Sequence, residues 1–246
     1  QEADYEIISY EGGQKDNAIT REAICEILVA REDVEAVKAS AAKAEDGLRE
    51  EYAGTDGNIT VQITEEGHAE TDVLHPTSRE KVLFYLVQIP FGIQKMSGNI
   101  EGLVETSTNI GIVKLSDDEF FARSSVRSSV EVARDALSDK IQYLTEFLGG
   151  EYEIQGAYPA WEYRKDSPLR DKMVSVYEEM YGQKPEVVAI HAGLECGLFY
   201  KKIEGLDCVS LGPNMKDIHT SEEVLDIAST ERVWNYLVKV LEQLKD

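Results

Sequence analysis

Cysteine, positive charge and long apolar runs are all scarce in this sequence. The three cysteines show no CxxC spacing, which argues against a disulfide framework and for a reducing compartment. The 25 Lys and Arg against 47 Asp and Glu give a net charge of −22, which would repel a nucleic-acid backbone. No apolar run approaches the length of a membrane-spanning helix. The sequence therefore predicts neither a nucleic-acid-binding nor a membrane protein.

The composition is that of a soluble globular protein of one large or two ordinary domains. Of the 246 residues, 42% are apolar and 29% are charged. The start at Gln1 has no initiating Met, no basic region and no apolar stretch, so a signal peptide is not expected. A strand pattern follows almost at once, which predicts that the sequence begins inside a domain.

The first part of the chain predicts an antiparallel sheet with helices on one face. The pattern is β-β-α-β-α-β-β-α, the α+β layer of a ferredoxin-like fold. The predicted strands cover residues 5–10, 23–29, 60–64, 103–113 and 119–126. The predicted helices cover residues 31–50, a segment that opens at Pro76, and residues 128–148.

The later part predicts a piece of an α/β sandwich. A linker at 156–161 precedes a helix at 168–182 and apolar strands at 187–190 and 208–213, and a last helix covers 223–244. Two strands are few for a self-sufficient sheet, so this part is expected to be incomplete.

Four short segments carry a family resemblance. They are Glu11–Glu22 (EGGQKDNAITRE), Gly98–Val104 (GNIEGLV), His191–Phe199 (HAGLECGLF) and Leu211–Glu223 (LGPNMKDIHTSEE). In this order they resemble the Xaa-His dipeptidases, which are members of the di-zinc superfamily of carnosinases and aminoacylases. Family members usually carry Pro at the positions of Thr20 and Ser221, but neither change removes a reactive group.

The resemblance implies a domain organisation, a cofactor and an assembly. Residues 1–155 would be the lid and dimerisation domain, truncated at its N-terminus, and residues 156–246 the C-terminal segment of the catalytic domain. The intact enzyme would be a cytoplasmic homodimer, paired through its lid, that hydrolyses Xaa-His dipeptides with two zinc ions.

Most of the family's metal ligands and its catalytic carboxylate are absent. The chain has no HxD motif, and its histidines are His68, His75, His191 and His219. A zinc site needs about four ligands. We therefore predict no catalytic residue in this chain, few or no zinc ions bound to it, and no activity from it alone.

His219 is the predicted metal ligand. It follows a predicted strand and a Gly-Pro turn and precedes a helix, so its ring can project from the end of the sheet, where open α/β sheets bind ligands. By resemblance it is the last zinc ligand. The alternative is a surface-loop histidine beside a helix cap formed by Thr220 or Ser221.

Asn17, Arg123 and Arg127 are predicted to bind substrate. By resemblance, Asn17 lies where related enzymes reach the substrate across the dimer, and its amide could orient a peptide carbonyl; the alternative is ordinary turn chemistry. The family's lid commonly supplies an arginine for the substrate carboxylate, which a guanidinium can bind through both oxygens. Arg123 fits that pattern better and Arg127 is second; the alternative for both is a surface salt bridge.

The segment from His191 to Gly197 is predicted to be a glycine-lined turn at a helix start. Backbone N–H groups near Gly193 could bind a carboxylate, and Glu195 is a further candidate for substrate binding. Alternatively, Glu195 caps the helix and His191 belongs to the core. Nothing basic flanks Cys196, which is predicted to be buried packing.

A second functional hypothesis comes from another class of protein. The lid fold could serve a non-catalytic dimerisation or peptide-binding module. Such a module would hold no zinc in the full-length protein, whereas a dipeptidase would.

Overall fold

The computed structural model describes residues 3–116, 118–189, 195–218 and 222–245. The strands and helices of these residues are, in chain order, β1 (Tyr5–Gly12), β2 (Ala23–Val29), α1 (Val34–Glu51), α2 (Pro76–Gln88), β3 (Gly92–Met96), β4 (Val104–Leu115), β5 (Phe120–Ser128), α3 (Glu131–Phe147), α4 (Pro168–Tyr181), α5 (Glu195–Lys202), β6 (Met215–Lys216), β7 (Val224–Leu225) and α6 (Ile227–Gln243). Throughout this part of the chain, every helix is too short or too polar to cross a bilayer.

One five-stranded sheet organises the first part of the chain. Its order is β2-β1-β4-β3, and β5 also pairs with β4. β1 and β2 are antiparallel, with Tyr5 opposite Val29 and Gly12 opposite Ala23. β1 and β4 are also antiparallel, with Tyr10 opposite Leu115. The predicted fold class, an antiparallel sheet combined with helices, is confirmed.

The chain forms two compact units. Unit 1 consists of the chain up to Gly92 with Thr108–Ser125 and Ile141–Glu151. Unit 2 consists of Ile93–Ser107, Val126–Lys140 and the chain from Tyr152 onward. Both units include residues from before 155, and the domain boundary at 155/156 stays a prediction about the whole enzyme.

The core of unit 2 lies between α4 and α6. Met173 and Val176 of α4 pack with Tyr236 and Val240 of α6, and Val176 is fully buried. The Tyr236 hydroxyl donates a hydrogen bond to the Met173 carbonyl oxygen at 2.7 Å, so this buried hydroxyl has a partner.

Three predicted strands are wrong in the described residues. Residues 60–64, 187–189 and 208–213 pair with no other strand. At 61 the reason is visible, because the Val61 N–H donates to Glu45 Oε2 of α1 at 2.6 Å instead of to a strand. Conversely, β3 was not predicted. Apolar alternation reports burial, whereas a strand also needs a neighbour that takes its backbone hydrogen bonds.

Asp207 anchors the start of α4. Its carboxylate accepts hydrogen bonds from Ser167 Oγ at 2.6 Å and from the Leu169 N–H at 2.9 Å. Ser167 in turn caps the helix by accepting from the Arg170 N–H at 3.1 Å. Burial acts to raise the pKa of Asp207, but the bonds from Ser167 and Leu169 outweigh it and hold that pKa below its ordinary value of 3.8.

We expect Asp207→Asn to destabilise this chain by about 1 kcal/mol at pH 7, because an amide can replace only part of the bonding of the carboxylate. A carboxyl group with a lowered folded-state pKa contributes stability above its ordinary pKa and loses it as the pH falls through the lowered value. The gap between wild type and variant should therefore be constant down to about pH 4 and shrink below it.

Urea unfolding at pH 7 and pH 3 measures both effects. Asp166→Asn, at an exposed neighbouring position, is the control and should leave stability unchanged. A gap that is equal at the two pH values would show that the charge of Asp207 does not stabilise α4.

Candidate functional site

Asn17 lies on the loop between β1 and β2. Its side chain is exposed. The turn that contains Asn17 is closed by a hydrogen bond from the Ala18 N–H to the Lys15 carbonyl oxygen at 3.3 Å. The predicted turn is therefore present. An exposed amide at the tip of a turn is free to meet a ligand, which is compatible with both the substrate-binding and the turn interpretation.

Hydrogen bonds between β4 and this loop hold the loop in place. The Asn109 side-chain amide donates to the carbonyl oxygens of Asp16 at 3.3 Å and of Ala18 at 3.0 Å, one on each side of Asn17. Thr20 Oγ1 donates to the Ile110 carbonyl oxygen at 3.0 Å. Thr20 stands where the family resemblance leads one to expect Pro. Its side-chain hydrogen bond to β4 restrains the loop in place of the rigid backbone that a Pro would provide.

Two glycines allow the loop to approach β4. A Cβ on Gly111 would lie against the Lys15 carbonyl oxygen and 2.5 Å from Asp16 Cα, closer than real Cβ atoms come. Gly13 has a φ of 74°, and a Cβ there would clash with the Gly111 carbonyl oxygen. Sequence reasoning missed Asn109 and Gly111. The glycine inside a predicted strand was the available signal, because such a glycine often marks a close backbone approach.

We expect Asn109→Ala to raise the hydrogen-exchange rate of the Ala18 amide in this chain by about tenfold or more, because the loop loses two hydrogen bonds to β4. Exchange measured by mass spectrometry or NMR tests this. Asn58→Ala, at an exposed position, is the matched control and should leave that rate unchanged. Equal rates in both variants would show that Asn109 does not hold the loop.

The two candidate arginines lie on β5. Arg123 is exposed, and its guanidinium carbon lies 5.6 Å from the centroid of the Phe121 ring, within the range of a cation–π contact. Arg127 is half-buried. They are four positions apart on one strand, so both belong to the same face of the sheet. Asn17 and Arg123 both belong to unit 1, and each lies on an element held by β4.

Glu195 is the first residue of α5, and its side chain is exposed. A carboxylate there is favourable to the helix dipole, as the capping alternative expects. Gly197 is buried, and a Cβ on it would lie 2.8 Å from the Pro159 carbonyl oxygen, so the helix start packs closely on the preceding chain. His191, Gly193 and His219 lie outside the described residues.

The described residues do not form a zinc site by themselves. Across the four described ranges, there is no group of three or more His, Cys, Asp or Glu side chains that could hold a metal ion. Of the histidines described, His75 is engaged as the N-cap of α2, where its Nδ1 accepts from the Thr77 N–H at 3.2 Å. No chemical step is therefore assigned to zinc within these residues.

Similar proteins match the chain along nearly its whole length. It is 30% identical over 244 residues to the cytosol non-specific dipeptidase of Escherichia coli (strain K12), covering 99% of this chain and 50% of that protein. It matches the crystal structure of aminoacylhistidine dipeptidase from Vibrio alginolyticus with a TM-score of 0.90 and 31% identity, over 99% of this chain and 49% of the other.

The structure of aminopeptidase PepT from Bacillus cereus ATCC 10987 shares only the fold. Its TM-score is 0.54 at 15% identity, over 69% of this chain and 46% of the other. The chain thus spans about half the length of the curated relative that it matches. Residues 3–243 match the peptidase family M20/M25/M40. The predicted resemblance to dipeptidases is confirmed, and the chain belongs to peptidase family M20/M25/M40.

Proposed function

We propose that this chain is the lid domain and the C-terminal catalytic segment of a zinc-dependent dipeptidase that hydrolyses Xaa-His dipeptides. The observation that carries the proposal is the match to an aminoacylhistidine dipeptidase at a TM-score of 0.90 over 99% of the chain. The four motif segments of the sequence support the same reading. A cytoplasmic location is part of the proposal, supported by the cytosolic relative and by the three free cysteines.

His219 is the proposed metal ligand, and Asn17 and an arginine are the proposed substrate contacts. In the intact enzyme, bound zinc would activate water and polarise the scissile carbonyl. Asn17 donates its amide N–H to a substrate carbonyl oxygen, where negative charge develops during hydrolysis. The hydrogen bond from Asn109 to the Ala18 carbonyl oxygen and the hydrogen bond from Thr20 to the Ile110 carbonyl oxygen hold the loop backbone that carries Asn17, which limits the reorganisation needed during the reaction.

The substrate carboxylate is proposed to bind Arg123, with Arg127 as the second choice. Phe121 lies against the Arg123 guanidinium and orients it while leaving it exposed. The backbone around Gly193 and the Glu195 side chain at the start of α5 are the remaining proposed contacts. Glu195 would suit a positively charged group such as the amino terminus of a dipeptide, because its carboxylate is exposed at the start of the helix.

The alternative, a non-catalytic dimerisation or peptide-binding module, is less well supported. The similarity extends through both the proposed lid and the proposed catalytic segment, whereas a module that only borrowed the lid would need the first of them alone. Zinc analysis of the full-length gene product separates the two. A dipeptidase should retain about two zinc ions per chain, and a binding module none.

A homodimer formed through the lid is also proposed. β2 is at the end of the sheet order, so its outer edge could pair with a second copy of this chain. α2 buries Val82 and Tyr85 but exposes the apolar side chains of Phe84 and Val87. An edge strand and an exposed apolar helix face within one unit offer the self-complementary surface that a two-fold dimer requires.

We expect this chain to form a dimer whose association strengthens as salt is added. The net charge of −22 opposes association, and salt screens that repulsion while leaving apolar contacts intact. Light scattering at several salt concentrations measures the mass. Phe84→Ser should weaken the dimer, whereas Val132→Ser, at another exposed apolar position, should not. A strictly monomeric mass at high protein and high salt would contradict the lid dimer.

A further inference from the structure

The sequence contains two Asp-Gly pairs, Asp46–Gly47 and Asp56–Gly57. The backbone nitrogen after an Asp can attack the Asp carboxyl group, and glycine favours this attack because it has no side chain to obstruct it. All four residues are exposed to solvent. The two pairs therefore have the same side chains and similar access to water, and they differ in the backbone that surrounds them.

The first pair lies inside α1, which extends from Val34 to Glu51. Helical geometry directs the Gly47 N–H to the Lys43 carbonyl oxygen and holds the Asp46 ψ near about −42°. The ring that forms in the attack contains the Gly47 nitrogen and the Asp46 atoms C, Cα, Cβ and Cγ. Closing this ring needs a free N–H and a rotation about ψ, and the helix prevents both.

The second pair follows the end of α1 and belongs to neither a helix nor a strand. The Asp56 N–H donates to the Tyr52 carbonyl oxygen at 2.7 Å, a bond that lies before the Asp56 Cα and does not restrain ψ. Among the residues that the structure describes, neither the Asp56 carboxylate nor the Gly57 N–H has a hydrogen-bond partner. A Cβ on Gly57 would come no closer than 3.7 Å to the Ala53 carbonyl oxygen, so the space beside this glycine is open.

We propose that Asp56 is a site of spontaneous isomerisation to isoaspartate in the folded protein and that Asp46 is protected from it. The Gly57 nitrogen bonds to the Asp56 Cγ, and its proton leaves with one carboxyl oxygen as water, which gives a succinimide. Water then adds to the former backbone carbonyl and opens the ring, so that the chain continues through Cγ. One water is lost and one is gained, and no oxidant or reductant takes part.

The segment that follows this site is held on α1 by two side chains. Arg49 Nε donates to the Ile59 carbonyl oxygen at 2.6 Å, and the Val61 N–H donates to Glu45 Oε2 at 2.6 Å. Isoaspartate at residue 56 adds one carbon to the backbone just before these bonds and changes the alignment of the segment with α1. The modified chain therefore holds residues 59–61 on α1 less firmly.

Incubation of this chain at neutral pH, followed by trypsin digestion and mass spectrometry, tests the proposal. Trypsin cleaves after Lys43, Arg49 and Arg79, so the two Asp-Gly pairs fall in different peptides. The 50–79 peptide should gain a second chromatographic form of unchanged mass, and electron-transfer fragmentation should place isoaspartate at residue 56. The same product at residue 46 should form about tenfold more slowly or less, because the helix must first open there.

Two variants and one change of conditions separate the effect of the fold from that of the sequence. Gly57→Ala should suppress the second form, because the added Cβ obstructs the attack and fits the open space without a clash. Gly47→Ala is the matched control and should leave the rate at residue 56 unchanged. In urea that unfolds the chain, the two sites should react at similar rates, because no helix then protects residue 46.

Hydrogen exchange tests the effect on the neighbouring segment. Chromatography resolves a peptic peptide that spans residues 56–61 into its two forms, and the Val61 amide should exchange faster in the isoaspartate form. An unchanged exchange rate would show that the segment stays on α1. Absence of the product at residue 56, equal rates at the two sites in the folded chain, or a mass change that indicates deamidation of Asn58 instead would overturn the proposal.

Discussion

Replacing His219 by alanine in the full-length enzyme is expected to lower kcat/KM for alanyl-histidine by more than about 100-fold. Mutation of a residue that only hydrogen-bonds to a metal ligand already lowers activity or metal affinity by about 10- to 100-fold, and loss of the ligand itself should cost more. The variant should also lose one equivalent of zinc, because a zinc ion is held by only about four ligands and the loss of one greatly weakens its binding. Metal analysis and steady-state kinetics of the purified variant measure the two effects together. Circular dichroism and thermal unfolding should show an intact fold, because a polar loop residue contributes little to the core.

His68→Ala is the matched control for this experiment. His68 is exposed, so its removal should leave metal content and activity at the wild-type level. Wild-type activity in the His219 variant would show that the motif around residues 211–223 does not hold a metal. Loss of activity with full zinc content would instead assign His219 a contact with substrate.

This chain by itself is expected to hydrolyse no dipeptide and to bind zinc no more tightly than about micromolar. The sequence provides one proposed ligand, His219, against about four in a zinc site. In the intact enzyme, the proposal assigns the remaining ligands and the catalytic carboxylate to other segments. Isothermal titration with zinc and an assay with carnosine and alanyl-histidine measure the two quantities.

The full-length protein, assayed in the same buffer, is the positive control for that comparison. Hydrolysis by the full-length protein but not by this chain is the expected outcome. Stoichiometric zinc binding well below micromolar, or measurable hydrolysis by this polypeptide alone, would contradict the proposed division of the site.

The elements with a local signature were predictable from the sequence. β2 was predicted at residues 23–29 and has those bounds, because its β-branched residues Ile24, Ile27 and Val29 favour a strand. α4 was predicted at 168–182 and ends at Tyr181, since Gly182 adopts a φ of 70° that terminates the helix. Helix caps and helix-ending glycines act on residues only a few positions away, so they can be recognised from a short stretch of sequence.

Elements that depend on distant partners were not predictable in the same way. Residues 60–64 alternate as a strand does, yet Val61 bonds to a side chain of α1. The residues at 187–189 and 208–213 are apolar enough for buried strands but have no strand beside them. Local pattern reports which face is buried, and it carries no information on whether a second strand is present to accept the hydrogen bonds.

The candidate site also combines features that nearby residues predict with features that depend on distant parts of the chain. The turn that presents Asn17 was predicted from its own residues, whereas the support from Asn109 and Gly111 comes from β4, far along the chain. The role of His219 rests on the family resemblance and stays a prediction.

Zinc content and dipeptide hydrolysis of the full-length gene product test the central proposal most directly. The purified protein should hold about two zinc ions per chain and hydrolyse alanyl-histidine, and a chelator should remove both properties. Readdition of zinc should restore the activity. A full-length protein that folds, binds no zinc and cleaves no Xaa-His dipeptide would contradict the proposal and would favour a peptide-binding or dimerisation module.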